Sequence, residues 1–126
     1  MQNLSIEQLE NKDWGEPNFH SYVVETTHRA VKKPLKDLTL EEVRVLIGQK
    51  IGLKYILPIA LEALQQNPIV EVTYYEGDLL CSVLRLEEKD WSDNPIEWNA
   101  WKRLLVEKEA VIRQIEEIPQ EIFLNS

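Results

Sequence analysis

The sequence predicts an all-α fold, a compact single-domain bundle of five or six helices spanning residues 1–126. Three observations carry that expectation. First, Ser5-Ile6-Glu7-Gln8 and Thr39-Leu40-Glu41-Glu42 are capping boxes, in which a hydroxyl and the side chain three residues on satisfy each other's free backbone N–H groups at a helix start. Second, the turn signals are short and fall between segments of helical length: Trp14-Gly15-Glu16-Pro17, Lys33-Pro34, Asn67-Pro68, Glu76-Gly77 and Asn94-Pro95. Third, the most strand-like run, Ile69 to Tyr75, has no convincing partner to complete a ladder with, although Tyr22-Val23-Val24 and the threonines after it also suit a strand.

The elements follow in chain order. The first capping box opens a short helix to about Lys12. A second helix spans Phe19 to Lys32, where Phe19, Tyr22, Val23, Thr26, Thr27 and Ala30 recur at spacings of three and four. The third begins at Leu40, with acid in its first turn and Leu40, Val43, Leu46 and Ile47 on one face; Gly48 and Gly52 loosen its end. Pro58 suits the first turn of a fourth helix, where its missing N–H is not needed. That helix, apolar nearly all round, runs to about Gln66 as the centre of the bundle. The Ile69 to Tyr75 run reads as a loop or helix extension ending at Gly77. Asp78 then caps a helix through Leu86. Asn94-Pro95 opens the last and longest helix, to about Ile118, with Trp98, Trp101, Leu105, Ile112 and Ile115 in phase and Pro119 as its stop.

A chain of this length can bury roughly two-thirds of its unfolded surface, enough for a core without staples. Cys81 is the only cysteine, so a disulfide within the chain and a cysteine-cluster zinc site are both excluded, and a buried inert thiol is expected there. No basic-then-apolar leader opens the chain and no apolar run approaches a membrane span, so a cytoplasmic protein without a membrane partner is expected. Fourteen Lys+Arg face 22 Asp+Glu, a net charge of −8. Phosphate affinity comes mainly from Lys and Arg, so nucleic acid is a poor partner and a basic protein a good one.

The imbalance is local. Residues 71–97 carry Glu71, Glu76, Asp78, Glu87, Glu88, Asp90, Asp93 and Glu97 against Arg85 and Lys89 alone. Residues 25–54 are instead basic, with seven cations against four acids. Acids interleaved with Tyr74, Tyr75 and Trp91 make the candidate protein-binding surface: Glu71, Tyr74, Tyr75, Glu76, Glu87, Glu88, Asp90, Trp91, Asp93 and Glu97. A solvated loop that keeps the protein soluble accounts for the same charges.

Signals of catalysis are thin. The nucleotide, phosphate, serine-hydrolase and zinc-protease signatures are missing. His20 and His28 lie eight residues apart, roughly 12 Å along a helix, too far to share a metal. Asp13 with Glu16, or Glu87 with Glu88 and Asp90, offer an acid and a base of a kind common on surfaces. Neither catalytic residues nor a metal or cofactor are expected. Trp14, beside Gly15 and close to Pro17, suits packing over a core edge better than an exposed anchor, and Trp98 and Trp101 suit the core or its rim.

Several segments together resemble a bacterial family. They are Leu9-Glu10-Asn11-Lys12-Asp13-Trp14-Gly15-Glu16-Pro17; Lys33-Pro34-Leu35-Lys36-Asp37-Leu38-Thr39 with Glu41-Glu42-Val43-Arg44; Leu46-Ile47-Gly48-Gln49; Ile51-Gly52-Leu53; Leu57-Pro58 with Leu61-Glu62; and Tyr75-Glu76-Gly77-Asp78-Leu79-Leu80 with Val83-Leu84. The chain resembles immunity proteins of contact-dependent growth inhibition (CDI) systems from about Leu9 to Trp91. The resemblance implies a protein without enzymatic activity. It implies a cytoplasmic partner, the C-terminal toxin domain of a large surface-displayed effector, often a nuclease, neutralised by binding. A basic toxin would meet the acidic 71–97 stretch in a 1:1 complex with a monomer. A helical adaptor for another basic protein is the alternative, and a small enzyme using the carboxylates near Trp91 a distant third.

Overall fold

The computed structural model describes residues 2–115. They form α1 (Ile6–Glu10), α2 (Tyr22–Ala30), α3 (Leu40–Gln49), α4 (Leu53–Gln66), α5 (Asp78–Leu84), α6 (Glu88–Ser92), α7 (Pro95–Glu107) and α8 (Glu109–Ile112). A 3₁₀ turn sits at Leu35–Asp37, and no strand occurs among these residues beyond the isolated bridges Ser5–Pro34 and Glu71–Glu76. The all-α expectation holds, with eight α-helical segments where five or six were expected, several of them a turn or so long.

Both capping boxes close. Ser5 N–H donates to Gln8 Oε1 at 2.8 Å and Gln8 N–H returns to Ser5 Oγ at 3.2 Å. Thr39 N–H donates to Glu42 Oε1 at 2.9 Å and Glu42 N–H to Thr39 Oγ1 at 3.1 Å. Glu42 does more than cap. It is 1% exposed and also takes Arg29 Nε at 2.9 Å and Lys33 Nζ at 3.0 Å, tying α2 and the turn after it to α3. Burial alone would push its carboxyl up. The hydrogen bonds from Thr39, Arg29 and Lys33 outweigh that and bring its pKa down to about 2.

Four local expectations need correction. The second helix starts at Tyr22, because Ser21 Oγ accepts Val24 N–H and caps it there, leaving Phe19 outside and exposed. The fourth starts at Leu53, not Pro58. Gly52 adopts φ +63°, and a Cβ on it would lie 2.8 Å from Ile6 Cδ1, so the turn out of α3 is tight against α1 and the new helix begins at once. Pro58 then sits inside α4, on its solvent side, where it forfeits one backbone bond while Ile56, Leu57, Ala60, Leu61 and Leu64 bury the other face. Asp78 is the first residue of α5, after Gly77 at φ +85°, and its carboxylate serves the preceding loop instead of its own helix. The last helix is interrupted at Lys108, and α8 follows with Ile112 fully buried; α4, at 14 residues, is the longest helix among the described residues. The expected stop at Ile118-Pro119 lies outside the described residues.

One apolar core links these helices, from Ile6 through the buried faces of α3, α4 and α5 to Trp101, Leu104 and Ile112. As expected, α4 is central: it packs on α3, α5 and α7. Arg44, early in α3, meets the loop before α5, and Lys50, just past the end of α3, meets α6 beyond the end of α5. The two packed helices α3 and α5 therefore run in the same direction, with the acidic stretch wrapped round both ends of α5.

Candidate functional site: a tryptophan groove beside an acidic edge

The 71–97 stretch divides into two parts, separated by the length of α5, about 10 Å. The first part is the loop before α5. Its apolar and β-branched residues found no ladder partner, and the backbone donors went to one carboxylate instead. Asp78 accepts N–H bonds from Val72 at 2.9 Å and from Thr73 and Tyr74 at 2.8 Å each. Burial raises the Asp78 carboxyl, but these three bonds and nearby Arg44 prevail and hold it below the ordinary range. Arg44 donates to Thr73 Oγ1 at 3.2 Å, and its guanidinium lies 4.8 Å from the centre of the Tyr74 ring. Glu71, Tyr74 and Glu76 are exposed; Tyr75 is half-buried, its hydroxyl pushed up by burial and by the Cys81 thiol, with Arg85 opposing.

The second part is α6 and the start of α7. Glu87 N–H donates to Asp90 Oδ2 at 2.8 Å, which closes the first turn of α6. Asp90 also pairs with Lys50 at 3.1 Å, and Asn94 Nδ2 donates to its backbone carbonyl at 2.7 Å. Burial would raise the Asp90 carboxyl; the Glu87 N–H and Lys50 lower it on balance, and Lys50 is raised in return, chiefly by Asp90. Lys50 holds a left-handed backbone, φ +58°, that usually belongs to glycine at a helix end. The lysine is useful there because its ammonium reaches Glu87 as well, at 3.4 Å.

Fixing α6 in this way aims Trp91 inward. Its ring stacks on Trp101 (centroids 6.0 Å, planes 15° apart) and meets Trp98 at 5.2 Å. Trp98 and Trp101, three apart on α7, share a face. Pro95 at the first position of α7 sets where that helix starts. Between α5, α6 and α7 this leaves an open groove of about 640 Å³, its walls including Leu86, Trp91, Trp98 and Leu105, with Glu88 and Lys102 at its edge. Trp101 and Trp91 are buried; Trp98 is 37% exposed. Lys102 Nζ lies 5.2 Å from the Trp98 ring centre.

The ten residues of the candidate surface thus fall into four groups, the first being the loop tyrosines, Tyr74 exposed beside Arg44 and Tyr75 half-buried. Asp90 and Trp91 are buried and hold the groove's wall. Glu87 is exposed but paired with Lys50. Glu71, Glu76, Glu88, Asp93 and Glu97 have no ion pair among the described residues. Sequence reasoning placed Trp98 and Trp101 at the core or its rim, where they are, but missed the groove because it lacked the short helix α6 that brings Trp91 to them. The signal was there in Glu87 and Asp90, three apart, a pattern for a helix start.

Elsewhere, Trp14 packs against the core edge as expected, with His28 edge-on at 5.7 Å and Lys12 4.3 Å from its ring centre. Cys81 is buried and free. No cluster of three or more His, Cys, Asp or Glu placed to hold a metal occurs among the described residues, and no helix among them is long and apolar enough to cross a membrane.

The family model of CDI immunity proteins matches residues 8–100. The chain belongs to the CDI immunity protein family. The match begins within α1, covers both parts of the acidic stretch and ends at Ala100 inside α7, further along than the Trp91 limit of the sequence resemblance. Neither the curated proteins nor the solved structures compared gave a match. Within this CDI immunity protein, the family region therefore contains Glu88, Trp91 and Trp98, while Trp101 and Lys102 of the groove lie just beyond it.

Proposed function

We propose that this chain neutralises the C-terminal toxin domain of a cognate CDI effector by binding it 1:1 in the cytoplasm, acting as a monomeric single domain. Family membership is the observation that carries the reading. The charge distribution supports its finer part. A toxin that acts on nucleic acid needs basic surface, and five carboxylates around α5 to α7 that have no ion pair among the described residues offer such a surface a counterpart. The inhibitor then works by occupation, with its acids standing where phosphates would.

Titration calorimetry against the toxin domain encoded immediately upstream, at low and high salt with toxin activity followed in parallel, tests this. The expected result is tight 1:1 binding that abolishes activity and weakens as salt rises. Tight binding indifferent to salt keeps the immunity function and removes the acidic-face account. A folded toxin that does not bind overturns the cognate pairing.

A further inference from the structure

The two ends of α5 differ in what they leave open. At the loop end, the exposed face of Tyr74 already carries the Arg44 guanidinium, and Arg44 is held there by Thr73. That cation–aromatic contact is built in. At the α6–α7 end, Trp98 also carries a cation, Lys102, but Lys102 is exposed and has no hydrogen bond or ion pair among the described residues. Its ammonium rests on an electron-rich indole face with nothing else among the described residues to hold it. On the same groove edge stands Glu88, exposed and without an ion pair among the described residues. Apolar walls, an indole face and an unpaired carboxylate together match one side chain best. Arginine has a long aliphatic stem for the walls, a planar cation that stacks on indole, and a fork of donors for a carboxylate.

We propose that the tryptophan groove between α5, α6 and α7 is the toxin-docking surface, and that it takes an arginine of the toxin, stacked on Trp98 and paired with Glu88. Lys102 swings aside as the arginine enters. The inference rests on the toxin-neutralising reading above and adds where and by what chemistry the partner is held. The rim agrees in sign: with Glu87 paired to Lys50, Glu88, Asp93 and Glu97 still outnumber Lys89 and Lys102 around the α6–α7 junction.

The test uses the upstream-encoded toxin domain as probe and three variants of the full chain, each checked for an unchanged melting transition. Trp98→Ala is expected to weaken binding by about tenfold or more, the scale of an aromatic anchor. Glu88→Gln is expected to weaken it several-fold and to flatten its salt dependence. Lys102→Ala is expected to leave binding unchanged or tighter, because it removes a competitor for the indole face. Double-mutant cycles between Glu88→Gln and individual toxin arginines changed to alanine should find one coupled pair. Should Trp98→Ala not fold, hydrogen exchange on the wild-type chain decides: toxin should protect the backbone of residues 86–102.

Variants that bind like wild type with no protection of that segment overturn the groove and leave the immunity function standing. A marked loss with Lys102→Ala, or no coupled arginine, overturns the arginine assignment. No binding by the wild-type chain overturns both the function and the groove.

Discussion

Carboxylates turned inward and carboxylates turned outward do opposite work in this molecule. Glu42, Asp78 and Asp90 are buried, and each collects donors: two cations and a backbone N–H for Glu42, three backbone N–H groups for Asp78, one N–H and Lys50 for Asp90. Glu71, Glu76, Glu88 and Asp93 are exposed and have no ion pair among the described residues. Each inward carboxylate joins two segments: Glu42 joins α2 to α3, Asp78 the loop to α5, and Asp90 α6 to the end of α3. The outward ones join nothing within the described residues. The eight acids of residues 71–97 therefore overstate what a partner meets there, since Asp78 and Asp90 are buried and the exposed Glu87 is paired with Lys50.

The sharpest way to break the contrast is at Glu42. Glu42→Ala removes the acceptor for two cations and a capping N–H at a fully buried position. It should lower stability by about 3 kcal/mol, discounted from the full cost of a broken buried pair because Arg29 and Lys33 can return to water. Denaturant melts measure it. The pH dependence carries the same signature. A depressed pKa contributes stability above the unfolded carboxylate value that is lost as pH falls through the folded one. Wild-type stability should therefore fall between about pH 4.5 and about pH 2 for Glu42, with Asp78 and Asp90 adding to the same acid side. Glu42→Ala should lose the Glu42 part of that slope while its folded fraction still binds toxin. A slope identical to wild type would remove Glu42 from the account.

Asp78 is buried, as Glu42 is, but collects only backbone donors. In Asp78→Asn the amide cannot accept three N–H bonds, and its NH2 group opposes one of them. A loss of about 2 kcal/mol is expected, together with faster hydrogen exchange confined at first to the amides of Val72, Thr73 and Tyr74. Uniformly unchanged exchange in that loop would show that the carboxylate does not hold it.

These sites also show what can be read from residues in order and what cannot. The two capping boxes, the central α4 and the packed Trp14 were legible because caps and apolar periodicity are local. The helix start at Leu53 was hidden because it depends on Ile6, 46 residues away, closing on Gly52. Asp78 was read as a helix cap since that is the common local role, yet its donors belong to a loop whose strand-like residues had no partner strand. The break at Lys108 fell inside an unbroken apolar phase, and α6 was too short to announce itself by periodicity. The acidic stretch was visible as composition; which of its members face water depended on Lys50 and Arg44, contributed from α3.

The smallest effect expected is at Lys50, and it probes the border between the two groups. Lys50→Met removes the cation that Glu87 and Asp90 share, but the ammonium reaches solvent and the buried Asp90 keeps its backbone donor. Stability should change less than in either variant above. Its effect on binding should be larger than its effect on folding. Freed from Lys50, Glu87 joins Glu88 as an unpaired acid beside the groove, so toxin association should quicken at low salt and revert to the wild-type rate at high salt. Stopped-flow association at two ionic strengths measures it. A slower association at low salt would mean that Lys50 itself faces the partner, and that the acidic edge is drawn in the wrong place.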